Sequence, residues 1–489
     1  MATYFLALRD WKLIPSALTI LVYKFCRELT LQTSVHGLLE RKPSRMTISK
    51  RQLNLNVGIN TTGYLANAWR YRTGTRHDIN DPDYYRRLTE LAHKGLFDAV
   101  FFSDHPALMT DPNGRPFHTI DPLILCTALA AQVPDIGFVA TMSSTYNSPY
   151  NLARRTQSTD IISGGRLIIN IVSSFNPNVA ANFGAEPLPP RSERYAKASE
   201  FLDVAKQLWS SWDPAREGDI PENRFWDAAT AQAIDHAGDY FTVKGPLNVP
   251  VGPQGHPVIA QAGASESGIE LAARHGEIIY CNILSRAAGQ AFGKKVRDRA
   301  IELGRDPSGI RIVPGLVAIL GETRAEALRK HELFSGAGSE DGLLARFVKD
   351  NDIDPHGFDP DAILETERFI PDPNRIQAVG MGLGLSDLLA HEKLTARQAV
   401  RRSEGHHRLV LGTPEEIADS IVDLWADGTV DGYTLQPPRA PDDIEEFIDK
   451  VIPVLQKRGV YRTSYEERTI RDRYGLPNPF RSNGNSRAF

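Results

Sequence analysis

The stretch "PVIAQAGASESGIELAARHGEIIYCNIL" (Pro257–Leu284) holds the pattern that decides the fold. An apolar run passes through small polar residues, Gly263 to Gly268, into a run of helix formers, and a second apolar run follows. This order predicts a strand, a helix and another strand, the unit from which parallel sheets are built. The turn has two interpretations. It is either a site where helix N–H groups hold an anion or a short turn before a well-capped helix.

The same alternation continues in both directions along the chain. Eight apolar runs are predicted as strands: Leu53–Ile59, Phe97–Ser103, Asp135–Ser143, Gly165–Ser173, His256–Ala262, Gly276–Asn282, Ile310–Leu320 and Val430–Pro438. Helical patterns follow them at Asp83–Lys94, Pro122–Gln132, Asn151–Ile162, Glu193–Trp212, Glu266–Arg274, Ala287–Leu303, Arg324–Leu333 and Pro414–Ala426. Most of the strands are apolar along their length, as strands covered on both faces are. Because no GxGxxG follows the first strand, the sequence predicts an α/β fold of the (β/α)8 TIM-barrel type.

Two segments, residues 213–254 and 335–409, do not fit the strand and helix units of a simple barrel. We expect them to be insertions on the C-terminal, catalytic face. The chain is predicted to divide into an N-terminal appendage outside the core (1–45), the barrel domain (46–480) and a tail (481–489). The appendage contains an apolar stretch, Leu13–Tyr23, that is too short to span a bilayer as a helix. It also lacks the small-residue cleavage pattern of a signal peptide.

Composition excludes several classes of function. The net charge of −4 over 489 residues argues against a nucleic-acid partner. The three cysteines lie far apart without a CxxC, so we expect a reducing compartment, the cytoplasm, and no zinc cluster or disulfide framework. The only candidate metal ligands are the Asp104-His105 and His406-His407 pairs. We predict that no metal is bound and that the second pair is solvated.

Barrel active sites gather at the C-terminal ends of the strands. The residues at the predicted strand ends are Asn60–Thr62, Ser103–His105, Thr141–Ser143, Asn170–Ser174, Gln261–Ser265, Asn282 and Gln436. They are mostly neutral hydrogen-bonding groups with one carboxylate, so the two facing carboxylates of a glycosidase are missing. No GxSxG nucleophile motif is present either. A site of amides and hydroxyls without its own nucleophile is typical of a protein that holds a reactive cofactor.

Several long motifs occur in an order that resembles a known family. They include "FFSDHP" (Phe101–Pro106), "VATMSSTYNSPYNLARRTQSTDIISGGRLIINIVSSFNPNVAANFG" (Val139–Gly184) and "VLGTPEEIADSI" (Val410–Ile421). The chain resembles the bacterial-luciferase-like flavin monooxygenases from about Leu53 to Pro477. Within that superfamily it is most similar to the branch of nitrilotriacetate, EDTA, dibenzothiophene-sulfone and long-chain alkane monooxygenases.

The resemblance implies an FMNH2-dependent monooxygenase on a (β/α)8 barrel. In such enzymes a separate NAD(P)H:flavin reductase supplies FMNH2, O2 forms a flavin C4a-(hydro)peroxide, and a small organic, xenobiotic-like substrate is oxygenated. A homodimer or homotetramer is implied as well. Two alternatives stay open: a deazaflavin-dependent oxidoreductase of the same superfamily, and a flavin-binding protein without catalysis. The substrate and any catalytic acid or base are not specified.

The resemblance also implies which residues bind the flavin: Asp104, Thr141, Asn170, Arg191, Tyr195, Ala264 and Ser265. It makes the anion at the Gly263–Gly268 turn the FMN phosphate. Arg191 and Tyr64 stand where relatives often carry His. Arg191 can still grip a phosphate, and the loop with Tyr64 and Trp69 is expected to border the substrate. The alternative roles are structural, such as a helix cap for Asp104 or a packed ring for Tyr195.

Overall fold

The computed structural model describes residues 51–108, 120–184, 188–213, 228–370 and 379–480. The predicted appendage (1–45) and tail (481–489) lie outside these residues. Within them the strands are β1 Asn54–Gly58, β2 Ala99–Phe102, β3 Gly137–Ser143, β4 Leu167–Val172, β5 His236–Ala237, β6 Thr242–Val243, β7 Val258–Ala262, β8 Ile278–Tyr280, β9 Arg311–Ile312, β10 Gly315–Leu320, β11 Ser403–Glu404, β12 His407–Gly412 and β13 Gly432–Leu435.

The α-helices are α1 Pro82–Lys94, α2 Pro122–Ala130, α3 Pro149–Ser163, α4 Pro177–Asn182, α5 Arg191–Trp209, α6 Glu266–His275, α7 Arg286–Glu302, α8 Arg324–Phe334, α9 Glu340–Asp350, α10 Val379–His391, α11 Ala396–Ala399, α12 Pro414–Ala426, α13 Asp442–Lys450, α14 Ile452–Lys457 and α15 Ile470–Arg473. Short 3-10 turns lie at Ala68–Arg70, Asp78–Asn80, Ala228–Thr230, Pro307–Gly309 and Thr366–Phe369. None of the described helices is long and apolar enough to cross a membrane.

The parallel strands close into a barrel. β1 pairs with β2 on one side and with β13 on the other, and the order continues β2-β3-β4-β7-β8-β9. β9 and β10 are parts of one barrel position, because only Val313 and Pro314 separate them. The first part pairs with β8 and the second with β13, which completes the circle. The predicted eight-stranded (β/α)8 barrel is confirmed.

The predicted boundaries hold within a few residues for all eight strands. The predicted run Leu53–Ile59, for example, contains β1, and its five strand residues are all buried. Helix α12 begins at Pro414 as predicted, and its N-cap Thr413 forms a reciprocal capping box with Glu416. Such local signals placed the elements correctly because they do not depend on distant contacts.

Two features were not predicted. β12 lies parallel to β10 as an additional strand, and the antiparallel hairpin with β11 leads into it from the predicted insertion. The segment after α14 packs into one end of the barrel. Side chains on both form one apolar cluster: Ala99, Phe101, Val139, Ile168, Val258, Ala260, Ile278 and Val313 with Ile470, Tyr474 and Leu476.

We call this closed end the floor; residues that precede the strands form it, among them Asp98, Asp135, His256 and Glu277. The opposite end, at the C-terminal ends of the strands, is the mouth. The outer faces of the strands pack against the helices in a larger apolar cluster that includes Leu55, Phe138 and Ile259. The floor is therefore filled by the chain itself, and the mouth is the face left for a ligand.

Candidate functional site

On one side of the mouth, a sharp turn leads from β7 into α6. Ser265 is the N-cap of α6, and its Oγ accepts a hydrogen bond from the Gly268 N–H at 3.3 Å. Gly263 has a φ of +156°, a conformation that residues with a side chain rarely adopt. A Cβ there would lie 3.0 Å from Gln261 Nε2 and 3.4 Å from the Tyr195 hydroxyl oxygen. The turn thus brings bare backbone next to two polar side chains, those of Gln261 and Tyr195.

Arg191 is the first residue of α5, and Tyr195 lies one turn later. The buried Arg194 between them fixes this helix end, because its guanidinium donates to the Ser174 carbonyl at 2.6 Å and to the Pro189 carbonyl at 3.1 Å. The start of α5 is therefore held against the loop after β4, with the Tyr195 hydroxyl beside the Gly263 turn.

Two neighbouring strands carry buried polar side chains into the mouth. The Asn170 amide on β4 donates to the Thr141 hydroxyl on β3 at 3.1 Å. The remaining oxygen of Asn170, Oδ1, is buried and has no hydrogen-bond partner among the described residues, and the same holds for Gln261 Oε1. Gln261 pairs with Ile171 and lies on the outer face of the strands, whereas Asn170 pairs with Ala260 and faces the barrel interior. Leaving a buried acceptor unpaired costs about 1–3 kcal/mol, so the Asn170 oxygen points to a bound group that donates N–H or O–H.

Asp104 follows β2 and is partly buried. Burial, with a smaller contribution from the Asp121 carboxylate, raises its pKa to about 6. Its neighbour His105 has a pKa lowered by burial. The mouth therefore contains a carboxyl group that changes charge close to neutral pH.

Next to β7, the part of the mouth formed by β8, β13 and β1 contains a hydrogen-bonded network that the sequence did not reveal. Gln436 Nε2 donates to the Tyr280 hydroxyl at 2.9 Å, and Gln436 Oε1 accepts from Asn60 Nδ2 at 2.5 Å. The Tyr280 hydroxyl also lies 2.8 Å from His407 Nε2. His407 is buried, and burial lowers its pKa to about 3. The prediction of a solvated His406-His407 pair is wrong for His407, because the β11–β12 hairpin folds it into the barrel wall.

Tyr64 joins this second group. Its hydroxyl donates to the Gly405 carbonyl at 2.6 Å, and its ring centroid lies 5.3 Å from that of His407. Trp69 is separate: the Arg70 guanidinium lies 4.3 Å above its ring, and its Nε1 is buried without a partner among the described residues. No contact of Trp69 ties it to the residues of the mouth described above.

The residues predicted to bind the flavin lie close together in the structure. Asp104, Thr141, Asn170 and the Gly263–Ser265 turn with Ala264 lie along adjacent strands, β2, β3, β4 and β7, with Arg191 and Tyr195 beside the turn. Their assignment to a flavin stays a prediction. Sequence reasoning missed Tyr280, although it lies two residues before the end of the predicted strand Gly276–Asn282, and its place near a strand end was the available signal. It also missed His407, because nothing local reveals a contact with a residue 127 positions away.

Comparison with known proteins gives one consistent family. The luciferase-like monooxygenase family model matches residues 64–432. Nitrilotriacetate monooxygenase component A of Aminobacter aminovorans is 36% identical over 447 residues, which covers 88% of this chain and 98% of that protein.

Solved structures agree. The EDTA monooxygenase from Chelativorans sp. BNC1 matches with a TM-score of 0.76 and 38% identity, over 88% of this chain and 100% of that one. A riboflavin lyase solved with modified FMN and riboflavin matches with a TM-score of 0.72 and 28% identity, over 88% of this chain and 97% of that one. Both likenesses extend over nearly the whole length of those proteins.

Proposed function

The chain belongs to the luciferase-like monooxygenase family, and from this premise we propose that it uses reduced FMN and O2 to oxygenate a small organic substrate. The observation that carries the proposal is the buried, unpartnered amide oxygen of Asn170 inside the barrel, together with the Gly263 turn at the end of the adjacent strand β7. This arrangement suits a ligand that has N–H donors at one end and an anion at the other. FMN has both, in its isoalloxazine ring and its phosphate.

The ring end of the cofactor would be held by neutral groups. Asn170 Oδ1 would accept a hydrogen bond from a ring N–H group. The Thr141 oxygen already accepts from Asn170, so its own hydrogen is available to a ring carbonyl or nitrogen. Asp104 lies at the next strand end and contributes a carboxyl group with a pKa near 6. Neutral contacts of this kind orient the ring without adding a nucleophile of the protein's own.

The phosphate end would be held at the Gly263–Gly268 turn. Ser265 Oγ accepts from the Gly268 N–H, which leaves its hydrogen free to donate to a phosphate oxygen. The N–H groups of the first turn of α6 point the same way, although the helix dipole alone is worth only about 0.3–1 kcal/mol. We therefore assign the remaining contacts to Ala264, Arg191 and Tyr195, because the start of α5 lies beside this turn. Arg in place of His keeps a permanent positive charge there.

Reduced flavin would supply the two electrons that activate O2. The chain's own task is to bind and orient the flavin and the substrate and to keep water out of the mouth. The substrate is assigned to the part of the mouth with Tyr64, Tyr280 and His407, two strands away from Asn170. Trp69 stays a candidate at the rim of this side.

We further propose a transient partner, a separate NAD(P)H:flavin reductase that delivers FMNH2, and the cytoplasm as the compartment they share. The support is the family membership, together with the relative that is itself named component A of a monooxygenase. A homodimer or homotetramer is the assembly we expect.

The proposal is tested by anaerobic titration of the protein with FMNH2 and, separately, with the reduced deazaflavin F420. We expect FMNH2 to bind and F420 not to compete for its site. On admission of O2, the bound FMNH2 should be oxidised at a rate different from that of free FMNH2. Oxidation at the rate of free FMNH2 would contradict the proposal, and preferential binding of F420 would favour the deazaflavin alternative.

A further inference from the structure

The phenol oxygen of Tyr280 lies between two nitrogen atoms. Gln436 presents its Nε2 at 2.9 Å, and this orientation of the amide is fixed because the Gln436 oxygen accepts from Asn60 Nδ2 at 2.5 Å. The Gln436 N–H therefore donates to Tyr280 and occupies one of the two lone pairs of the phenol oxygen.

The second nitrogen atom is His407 Nε2, at 2.8 Å. A neutral imidazole carries its hydrogen on one nitrogen only. His407 Nδ1 is buried and has no partner among the described residues, and buried N–H groups without a partner are rare in folded proteins. The hydrogen therefore belongs on Nε2, where it is donated to the Tyr280 oxygen and occupies the second lone pair.

We propose that Tyr280 is a substrate-binding residue whose hydroxyl hydrogen, directed into the mouth by two incoming hydrogen bonds, is donated to an acceptor oxygen of the organic substrate. A carbonyl, carboxylate or sulfonyl oxygen has the required chemistry. Gln436 and His407 are positioning residues that act through Tyr280. The identification of the ligand as the substrate rests on the proposed function. The arrangement of the hydrogen atoms on Tyr280 and His407 does not depend on it.

The surroundings hold this donor in place. The Tyr280 ring packs edge-on against Phe101, with centroids 5.3 Å apart at 81°. The His407 ring lies between the Tyr64 ring and the backbone of Gly315, where any Cβ would overlap the imidazole. Burial raises the pKa of Tyr280 well above its usual range, so the phenol stays protonated and acts as a donor rather than as a base.

The hydrogen arrangement is tested first, by 15N–1H NMR of the histidine rings in the protein without flavin. His407→Gln identifies the signals of His407 by difference. We expect a protonated Nε2 and an unprotonated Nδ1 across the neutral pH range. A protonated Nδ1 would mean that Tyr280 donates to His407 and has no hydrogen for a ligand, which overturns the proposal.

The donor is then tested with a pair of probes, dimethyl sulfone and dimethyl sulfide, which share their methyl groups and differ in the sulfonyl oxygens. Titrations followed by NMR, again without flavin, compare the chain with its Tyr280→Phe variant. The loss of one neutral hydrogen bond should weaken sulfone binding about 5-fold and leave sulfide binding unchanged. Sulfone binding that is equal in the two proteins, or absent from both, overturns the proposal.

Two variants separate positioning from packing. His407→Phe keeps a flat ring without a donor and should lower the sulfone preference as Tyr280→Phe does. His407→Gln keeps an N–H donor and should restore part of it. None of these measurements uses flavin or turnover. A negative result in them therefore does not contradict the proposed monooxygenase activity, and a failed FMNH2 titration does not contradict the proposed role of Tyr280.

Discussion

The two ends of the barrel solve the problem of buried polar groups in opposite ways. At the floor, charged side chains are buried in pairs. Arg462 is 2.6 Å from Asp98, which is fully buried, and Arg471 is 2.5 Å from Glu277. Arg471 also donates to the carbonyls of Gln254 and His256. The C-terminal segment supplies both arginines and thereby ties the ends of β2, β7 and β8 together.

At the mouth, most of the buried polar groups are neutral, and several have no partner among the described residues, as is also true of Arg462 Nε and Nη2 at the floor. Asn170 Oδ1, Gln261 Oε1, Thr62 Oγ1 and His407 Nδ1 are all in this state. The strands reach both ends with the same apolar pattern, so strand chemistry does not create the difference. The chain's own C-terminal segment covers the floor, and we propose that a ligand covers the mouth.

This contrast separates structural from functional polarity. A buried ion pair satisfied within the chain contributes to folding and is costly to break, whereas an unpaired neutral group is retained because another molecule completes it. Substitutions at the floor should therefore change stability and leave cofactor affinity unchanged, and substitutions at the mouth should do the reverse.

The largest effect is expected from Arg471→Met at the floor. The variant leaves the Glu277 carboxylate buried without its cation, although the pKa of that carboxyl is held at about 2 in the folded chain. Burial raises this pKa, and the Arg471 charge offsets the effect of burial together with the charge of His256 and hydrogen bonds from Arg471 and the Ile259 N–H. We expect a loss of about 3–5 kcal/mol in the free energy of unfolding, measured by chemical denaturation.

The matched control is Lys294→Met, which breaks the exposed pair between Lys294 and Asp298. Exposed pairs contribute about 0.2–1 kcal/mol, so this variant should be nearly as stable as the parent chain. Equal losses in the two variants, or a lowered FMNH2 affinity in folded Arg471→Met, would remove the distinction between floor and mouth.

Asp160 provides the second test at the floor because, unlike Asp98 and Glu277, this buried carboxyl group has no ion-pair partner among the described residues. Burial raises its pKa to about 7, against hydrogen bonds from Gln254 and from the Leu167 N–H that lower it. A raised pKa in the folded state means that its contribution is fully present below the unfolded pKa, near 4, and is lost as the pH rises to about 7. Over this pH range, the ionisation of Asp160 lowers the free energy of unfolding by about 4 kcal/mol.

Asp160→Asn keeps the oxygen that accepts from Gln254 and Leu167 and cannot ionise. Between pH 4 and pH 7 the melting temperature of the parent chain should therefore fall relative to that of the variant, and the difference should stay constant above that range. Melting curves of both proteins across the pH range check this. Parallel curves would show that Asp160 does not titrate in this window.

The barrel itself was predictable because its strands are covered on both faces and so are apolar throughout, a pattern that one sequence shows. The helix starts were predictable for a similar reason, since caps such as Thr413 and Ser265 act within one turn. The additional strand β12 could not be predicted, because its apolar residues follow a long insertion. Nor could the floor, because Arg462 and Arg471 meet carboxylates 364 and 194 positions away.

The neutral character of the mouth was predictable for the same reason as the barrel, since strand ends can be located from the strands. The sequence did not show which of these neutral groups are hydrogen-bonded to each other. Thr141 and Asn170 bond each other across two strands, and Tyr280 bonds residues from β12 and from the end of β13. These pairings depend on strand register and on the fold of the insertion, and neither is encoded in a local pattern.

The smallest effect concerns Ser265, where a structural and a functional role meet in one side chain. Ser265 caps α6, so Ser265→Ala should cost about 0.5–2 kcal/mol of stability. If its hydroxyl also donates to the FMN phosphate, the variant should bind FMNH2 more weakly by about 1–3 kcal/mol. Anaerobic titration measures the second quantity and thermal unfolding the first.

Ser339→Ala is the matched control. Ser339 caps α9, with its Oγ accepting from the Gly342 N–H at 3.2 Å, much as Ser265 does for α6. Both variants lose one cap, so similar stability losses are expected, and only Ser265→Ala should lose affinity for FMNH2. If neither variant loses affinity, the Gly263–Gly268 turn is a capped turn and the phosphate lies elsewhere. If both do, the affinity follows stability, and Ser265 has no role beyond its helix.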